Sequence, residues 1–327
     1  MRVSIVIPTF NRAGMFAHTI PALLKQQAGD FTYEVIFVAN GSSDATDSIL
    51  KGVVASHPET FRYFWIEPTG GPSAPRNVGI RAATGDVVII LDDDVAPDPD
   101  LVLRHVEFHR QHAEPHQAAV GQVYVPPHML EDPMSIFHSH YSYDRLRNAE
   151  RLTYFDFWTC NVSLKREFML SRGMFNEHVP YFEDIEVAHR LEKAGMHLYF
   201  VPLAQGQHLH QSTPAKLADR AFAIGGGLYR VMEHMPAASV KKRFGLVSTE
   251  FGPKWFVKRL LRLVAFFLID NPATRGLLRL LGATGRKRNR VTDAYYSLVF
   301  GRSFLAGYYK TWFKNRRLPA MARASQT

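Results

Sequence analysis

DVVIILDDD, residues 86–94, is an apolar run that ends directly in three carboxylates. Short runs rich in β-branched residues and bounded by polar ones are typical of buried strands. Three carboxylates at one strand end repel each other unless a cation lies among them. The alternative is a solvated turn, in which water screens the carboxylates and no cation is needed. We favour a cation site, and carboxylate oxygens suit Mg²⁺ or Mn²⁺.

Two further apolar runs, 3–7 and 34–38, precede this one, and the stretches 13–27 and 43–55 between them are long enough for helices. Strands that alternate with helices predict an α/β fold with a parallel, doubly wound sheet. Ligands of such sheets lie at the carboxyl ends of the strands. The residues to examine are therefore those that follow each run, namely 8–12, 39–42 and 92–94.

The rest of the chain has a different organisation. From 101 to 211 it mixes a helix over 101–113 with strands, the last near 198–202, and Gly225–Gly227 is expected to interrupt a helical stretch. We predict one domain over 1–235, in which the organisation changes after residue 96. A helical region at 236–327 follows.

Charge separates the same two regions. From residue 241 onward there are 19 Lys and Arg against three acidic residues, a net charge of +16, and the remainder carries 20 basic and 27 acidic residues. An acidic body with a basic tail predicts a polyanionic partner for the tail.

Composition excludes several classes of protein. With 46% hydrophobic and 21% charged residues, the chain is neither disordered nor a polytopic membrane protein. Its single cysteine, Cys160, forbids an intrachain disulfide and favours a reducing compartment. The N-terminal apolar run stops at Pro8, too early for a signal peptide.

Short motifs follow one another in a recognisable order over residues 1–212. Together they resemble the inverting glycosyltransferases of family 2, which have the GT-A fold, a Rossmann-like nucleotide-binding sheet with an acceptor-side extension. The motifs are 3–12, 40–46, 71–80, 85–94, 161–166, 173–177, 181–186 with Arg190 and Gly195, and 202–208.

The resemblance implies that the domain over 1–235 has a nucleotide-sugar half at 1–96 and an acceptor half at 97–212. It also implies a site for a nucleotide-diphosphate sugar. Asp92 would contact the nucleoside, Arg76 would compensate phosphate charge, and Asp94 would hold the metal, with His208 or the neighbouring His210 as a further ligand. The residues implied around the nucleotide are Pro8, Thr9, Asn11, Arg12, Asn40, Arg76, Asp92 and Asp93.

The resemblance also implies a catalytic base. Asp184 matches the base that takes the proton from the acceptor hydroxyl in a single displacement, and Glu183 would assist it or position the acceptor. The alternative is that both carboxylates merely supply negative charge to the first turn of a helix over 185–194.

This chain departs from the family pattern at two positions. The family usually carries an Asp where Ala39 stands, and that carboxylate commonly accepts a hydrogen bond from uracil. Asn40 could substitute through its amide oxygen. The loss of the carboxylate nevertheless counts against a uridine donor, and guanosine and thymidine diphosphate sugars stay open. Cys160 replaces a usual glycine, and the nearby Trp158 is either an acceptor wall or a core aromatic.

Histidines recur at helical spacing in 105–116. His105, His109, His112 and His116 would share one helix face, but no Cys or carboxylate there completes a metal site. We predict a solvated face.

The basic tail carries aromatic and apolar residues among its charges. Residues 254–269 place Lys258, Arg259 and Arg262 within one turn, and 263–269 is too short to cross a bilayer. An interfacial helix against anionic lipid fits best, and 286–290 and 308–317 extend its character. Packing on the catalytic domain is the alternative, and nucleic acid is not expected.

We therefore expect an inverting, metal-dependent glycosyltransferase in the cytoplasm, peripheral at the inner face of the cell membrane, acting on a glycan or glycolipid. A catalytically silent GT-A-like scaffold that works through its basic tail is the alternative. A sugar nucleotidyltransferase would need a Gly-rich, Lys-containing N-terminal loop that this sequence lacks.

Overall fold

The computed structural model describes residues 1–27, 29–129, 143–210, 212–283 and 290–317. The chain divides into two compact units. Of the described residues, 1–126 and 143–210 form the first unit, and 127–129 with 212–317 form the second. The segment 212–235 groups with the described residues of 236–317 in the second unit.

The first unit is built on one eight-stranded mixed sheet with the order β3-β2-β1-β4-β7-β6-β8-β5. The first four strands in this order run parallel, β7 runs antiparallel to both β4 and β6, and β8 is parallel to β6 and antiparallel to β5. The strands are β1 Arg2–Thr9, β2 Thr32–Asn40, β3 Phe61–Ile66, β4 Val87–Leu91, β5 Val95–Pro97, β6 Gln117–Tyr124, β7 Asn161–Lys165 and β8 His197–His208.

Helices connect these strands and cover the sheet. Because β1, β2 and β4 carry apolar residues on both faces, they are buried almost along their whole length, as expected of parallel strands between helices. The helices of this unit are α1 Phe16–Leu24, α2 Thr46–Ser56, α3 Ser73–Ala82, α4 Leu101–Gln111, α5 Tyr143–Arg147, α6 Arg166–Ser171 and α7 Glu183–Lys193.

The connections reverse direction between β1 and β4. From β1 the chain moves outward to β2 and β3, and it then returns to place β4 on the other side of β1. A crevice opens at such a switch point, outside the carboxyl ends of the two strands. The loop after β1 and the carboxylates after β4 meet there.

The predicted solvated face of histidines is wrong for His105 and His109. Both are buried, because α4 lays this face against β7. The Nε2–H of His105 donates to Asn161 Oδ1 at 2.9 Å, and Ser163 lies 2.8 Å from His105 and 2.9 Å from His109. Burial lowers the pKa of His105 to about 4 and that of His109 to about 2, so both rings are neutral.

Helices dominate the second unit. The expected interruption at Gly225–Gly227 does not occur: α8 continues through these three glycines without a break. A Cβ on Gly225 would lie 1.9 Å from the Phe304 carbonyl oxygen, so the glycine serves a close approach between α8 and α12. The helices are α8 Pro214–Val231, α9 Ala237–Phe244, α10 Pro253–Ile269, α11 Pro272–Ala283 and α12 Arg290–Arg317.

Gly225→Ala is expected to destabilise the protein by about 1 to 3 kcal/mol, because the new methyl group meets backbone that moves only if two helices separate. Gly276→Ala, in α11, is the matched control: its Cβ would meet nothing within 4 Å, so alanine should be neutral or stabilise by up to about 1 kcal/mol. Urea unfolding of both variants tests this difference. Equal midpoints would show that α8 and α12 are not in close contact.

None of the helices within the described residues combines the length and the hydropathy needed to cross a bilayer. The basic segment 286–289 lies outside the described residues.

Candidate active site

The loop after β1 is tied to the loop that precedes α2. Asn11 adopts a left-handed conformation with φ of 52°, which asparagine tolerates better than most residues. Its side-chain oxygen accepts a hydrogen bond from the Ser43 backbone N–H at 2.8 Å, and the Arg12 N–H donates to Thr46 Oγ1 at 2.9 Å. These bonds hold the backbone of Arg12 at the crevice between β1 and β4.

Arg12 is directed at the carboxylates that follow β4. Its Nε lies 3.1 Å from Asp93 Oδ1, and one terminal nitrogen lies 3.3 Å from Asp94 Oδ2. Both carboxylates are buried, so their charge needs a compensating cation. Arg12 supplies that charge in this structure.

Asp94 is also the centre of a cluster of possible metal ligands. His208 Nε2 lies 3.4 Å from Asp94 Oδ1, and His210 Nδ1 lies 3.0 Å from Asp94 Oδ2. One ligand atom from each of the three residues lies within 4.8 Å of the other two. β8 brings the histidines there, because Val95 beside Asp94 pairs with His208 and residues 208 and 210 lie on the same side of an extended chain.

The three side chains fit a divalent cation. A carboxylate oxygen and two imidazole nitrogens form a mixed donor set, which suits Mn²⁺ or a later transition metal better than Mg²⁺. Burial disfavours the charged form of Asp94, but the contacts from His208 and His210 outweigh burial and hold its pKa well below the usual range. Asp94 is therefore an anionic ligand over the ordinary pH range.

Asp93 is opposite in character. Burial, followed by the negative charge of Asp94, raises the pKa of Asp93 to about 7, although Arg12 acts in the other direction. The two neighbouring carboxylates thus share less than two full negative charges near neutral pH.

A second pair of carboxylates begins α7. Phe182, just before the helix, has φ of 65°, a left-handed conformation that is unfavourable for an aromatic residue and is common at functional sites. The Ile185 N–H donates to Asp184 Oδ1 at 2.8 Å. Glu183 is buried, whereas Asp184 retains partial access to solvent.

Arg76 joins the two carboxylate groups. Its Nη1 lies 2.6 Å from Glu183 Oε1, and its Nη2 lies 3.2 Å from Asp92 Oδ1. The guanidinium is buried beside the ring of Phe175. Burial lowers the pKa of Arg76, but the negative charges of Glu183 and Asp92 raise it by more than burial lowers it. The pKa therefore lies above its ordinary value, and this side chain is a permanent cation.

The environment of Asp184 gives it the ionisation of a base. Burial and then the charge of Glu183 raise the pKa of Asp184 to about 7, against a smaller lowering by Arg76. A base with a pKa near neutral pH both accepts a proton readily and is substantially deprotonated.

Asn40, the last residue of β2, is engaged by the loop that follows β3. Its side-chain oxygen accepts hydrogen bonds from the Thr69 N–H at 2.8 Å and from the Thr69 hydroxyl at 3.0 Å, and its amide nitrogen donates to the Gly71 carbonyl at 3.2 Å. Ala39 is fully buried. Asn40 therefore supports the 69–71 loop, and its oxygen is not free for a base.

The remaining predicted site residues lie in two places. Pro8 and Thr9 form the buried end of β1, beside the carboxylates after β4. Trp158 is half-buried, donates its indole N–H to the Phe155 carbonyl at 3.2 Å and meets the Tyr143 ring edge-on. These contacts place the indole against protein on one side.

Sequence reasoning treated His208 and His210 as alternatives, whereas both contact Asp94. The period of two along an extended segment could have indicated the pair. The links from Arg76 to Asp92 and Glu183, 16 and 107 residues away, had no comparable signal in the sequence.

Comparison with known proteins assigns this chain to a family. The family model described as glycosyl transferase family 2 matches residues 4–171. The chondroitin synthase of Escherichia coli is 26% identical over 290 residues, which are 75% of this chain and 41% of that protein. Glycosyltransferase AglE of Haloferax volcanii is 24% identical over 271 residues, which are 77% of this chain and 82% of that protein.

The chain spans only 18% to 41% of the length of four curated relatives that it matches, the chondroitin synthase of Escherichia coli among them. Among solved structures, the mannosyltransferase PcManGT of Pyrobaculum calidifontis, in complex with GDP-Man and Mn²⁺, has a TM-score of 0.64 at 19% identity and covers 96% of this chain and 87% of its own. That likeness confirms the predicted GT-A fold. Because the family model covers half of the chain, the protein belongs to glycosyl transferase family 2.

Proposed function

We propose that this protein is an inverting, metal-dependent glycosyltransferase that moves a sugar from a nucleotide-diphosphate sugar to a hydroxyl group by single displacement. The observation that carries the proposal is the cluster of Asp94, His208 and His210 at the carboxyl end of β4, where α/β sheets bind nucleotides. Family membership supports the reaction class.

Different residues around the crevice are proposed to bind the metal, the phosphates and the nucleoside of the donor. Asp94, His208 and His210 would hold Mn²⁺, which when bound supplies positive charge that stabilises a departing diphosphate. Arg12 is proposed to offset part of the negative charge of Asp93 and Asp94, which lowers the repulsion that the donor phosphates would meet beside these carboxylates. Asp92, the most exposed of the three carboxylates, is proposed to contact the nucleoside, with Pro8 and Thr9 shaping the wall of the crevice.

Residues at the start of α7 act on the acceptor. Asp184 is proposed to take the proton from the incoming hydroxyl, since it is partly accessible and its pKa is about 7. Glu183 sustains that pKa through its charge. Arg76, which we first expected to meet phosphate directly, is proposed to hold Glu183 and Asp92 in place.

The contacts that the site lacks narrow the choice of nucleobase in the donor. Ala39 offers no carboxylate and Asn40 is engaged by Thr69, so the contact commonly made to uracil is missing. Thymine presents the same hydrogen-bonding groups as uracil and would lose the same contact. We therefore propose a guanosine diphosphate sugar, and the neighbour solved with GDP-Man makes GDP-mannose the first donor to test. The structure of S. aureus TarS in complex with UDP-GlcNAc, which has a TM-score of 0.54 at 15% identity and covers 97% of this chain, keeps uridine donors in the panel.

A glycan or glycolipid is the proposed acceptor. Two relatives from Pasteurella multocida are named chondroitin synthase and hyaluronan synthase, and both of those products are glycans. Trp158 is proposed to contact it. A glycolipid acceptor requires access to lipid, which agrees with the cytoplasmic, peripheral location at an anionic surface that the basic tail predicts.

Asp94→Asn and His210→Ala are expected to weaken Mn²⁺ binding by about 10- to 100-fold or more, since the first removes the negative charge of a proposed ligand and the second removes a proposed ligand atom. The exposed His18→Ala is the matched control and should be unchanged. Titration calorimetry with Mn²⁺, followed by thermal shift with GDP, dTDP, UDP and their common sugars, measures both steps.

A nucleotide shift that appears only with Mn²⁺ and disappears in Asp94→Asn supports the proposal. If no nucleotide binds with or without Mn²⁺, the proposed function is wrong, and the catalytically silent scaffold becomes the better account.

A further inference from the structure

The helices α10 and α11 expose an unusual number of large apolar side chains. Within α10 no residue is fully buried, and Leu261 and Leu268 are 62% and 74% exposed. In α11, Leu280 is 66% exposed. The apolar residues that share this exposure, here called the apolar ridge, are Val257, Leu260, Leu261, Val264, Phe267, Leu268, Ile269, Leu277, Leu280 and Leu281.

The exposed charges of the same two helices are all positive. Lys254, Lys258 and Arg262 stand one turn apart and line an open groove of about 620 Å³ together with Val257 and Leu261. The described residues of α10, α11 and their junction include a single acidic residue, Asp270.

Asp270 does not reduce the positive charge at this surface. It is buried, and its carboxylate lies 3.1 Å from Arg275 Nε and 3.8 Å from Arg302. The solvent therefore meets apolar side chains and cations, with no exposed carboxylate from either helix.

We propose that the apolar ridge, flanked by Lys254, Lys258 and Arg262, is the surface by which this protein binds a bilayer containing anionic lipid. Apolar side chains enter the boundary between headgroups and acyl chains, and the cations meet lipid phosphates. This inference narrows the expected surface at 254–317 to two helices and rests on the proposed location of the enzyme.

Charge favours lipid over a second copy of the chain. A symmetric contact through the ridge would place these cations against the same surface of the other copy, whose exposed charges are also all positive, and like charges in a buried contact are costly. Anionic lipid supplies the opposite charge and covers the apolar residues at the same time.

Co-flotation of the full chain with vesicles of phosphatidylcholine, with and without 30% phosphatidylglycerol, tests the proposal. We expect binding to the anionic vesicles that weakens as salt rises, because the charged part of the attraction is screened. The variant Lys258→Glu/Arg262→Glu should bind at least about tenfold more weakly, since each basic residue contributes about a factor of five. The variant Leu261→Ser/Leu268→Ser should lose at least about tenfold through its apolar contacts.

Matched controls come from the first unit. Leu203→Ser removes a leucine that is 60% exposed, and Lys25→Glu reverses an exposed charge, and both should bind vesicles as the wild type does. All these positions are at the surface, so circular dichroism should report unchanged folding.

Three results would overturn the proposal: no binding of the wild type to anionic vesicles, equal binding by the ridge variants and the wild type, or a dimer in light scattering that the ridge variants dissociate while vesicles stay unbound. Nucleotide binding is measured on the same samples. A protein that binds vesicles but no nucleotide would lose the proposed function and keep this surface.

Discussion

Asp184→Asn is expected to bind the nucleotide donor as tightly as the wild type and to lose about 10²- to 10⁴-fold in the rate of transfer, because an amide cannot accept the proton of the acceptor hydroxyl. The substitution keeps the shape of the side chain and the oxygen that accepts from the Ile185 N–H. The measurement is kcat with saturating acceptor, together with donor affinity by calorimetry.

Asp219→Asn is the matched control, since it makes the same chemical change at an exposed position of α8 and should leave transfer unchanged. Transfer by Asp184→Asn within twofold of the wild type would remove Asp184 from the role of base.

The pH profile of the same enzyme follows from the ionisation of Asp184. The base works when deprotonated, so kcat/KM should rise with pH through about 7 and level off above it. Because the charge of Glu183 raises the pKa of Asp184, Glu183→Gln should move this rise to lower pH. A profile that does not move would place the titrating group elsewhere.

Arg76→Met is expected to lower the free energy of unfolding by about 3 to 5 kcal/mol, the cost of breaking a buried ion pair by removing one partner. Arg76 is 4% exposed and compensates both Glu183 and Asp92, so the variant leaves a buried carboxylate without its cation. Protonation of that carboxylate relieves the loss, and the deficit should therefore be smaller at pH 5 than at pH 8.

Arg104→Met is the matched control for Arg76. Arg104 also pairs with two carboxylates, Asp100 at 2.9 Å and Glu107 at 3.0 Å, but on the exposed side of α4. We expect a loss of at most about 1 kcal/mol there. Urea unfolding compares the two, and similar losses would mean that Arg76 is better hydrated than the structure shows.

The strands of the nucleotide half were predictable because burial on both faces leaves a continuous apolar run. β1, β2 and β4 lie where the runs 3–7, 34–38 and 86–91 predict them. β3, Phe61–Ile66, had no such run, because it is the edge strand and several of its side chains are only half-buried. Polar residues such as Arg62 therefore break the pattern there.

Contacts between distant segments were less predictable. Nothing in the spacing of His105 and His109 distinguishes a solvated face from one that packs on β7, and the partners that settle it, Asn161 and Ser163, are more than 50 residues away. Asn40 likewise looked available to a nucleotide, since its bonds to Thr69 depend on how the 69–71 loop folds back.

Glycines were misleading in the second unit for a physical reason. Three in a row lower helix propensity, which predicts a break, yet the close contact between Gly225 and the Phe304 carbonyl stabilises α8 from outside. Tertiary packing, which the sequence of one helix does not display, overrides propensity in this case.

The most direct test of the central claim is the configuration of the sugar that the enzyme transfers or releases. Proton NMR follows the anomeric signal in real time, using the α-linked donor that the nucleotide panel selects. A single displacement assisted by Asp184 inverts the anomeric centre, so the first product should be the β-anomer. An α-anomer as the first product would contradict the proposed mechanism and the role of Asp184 in it.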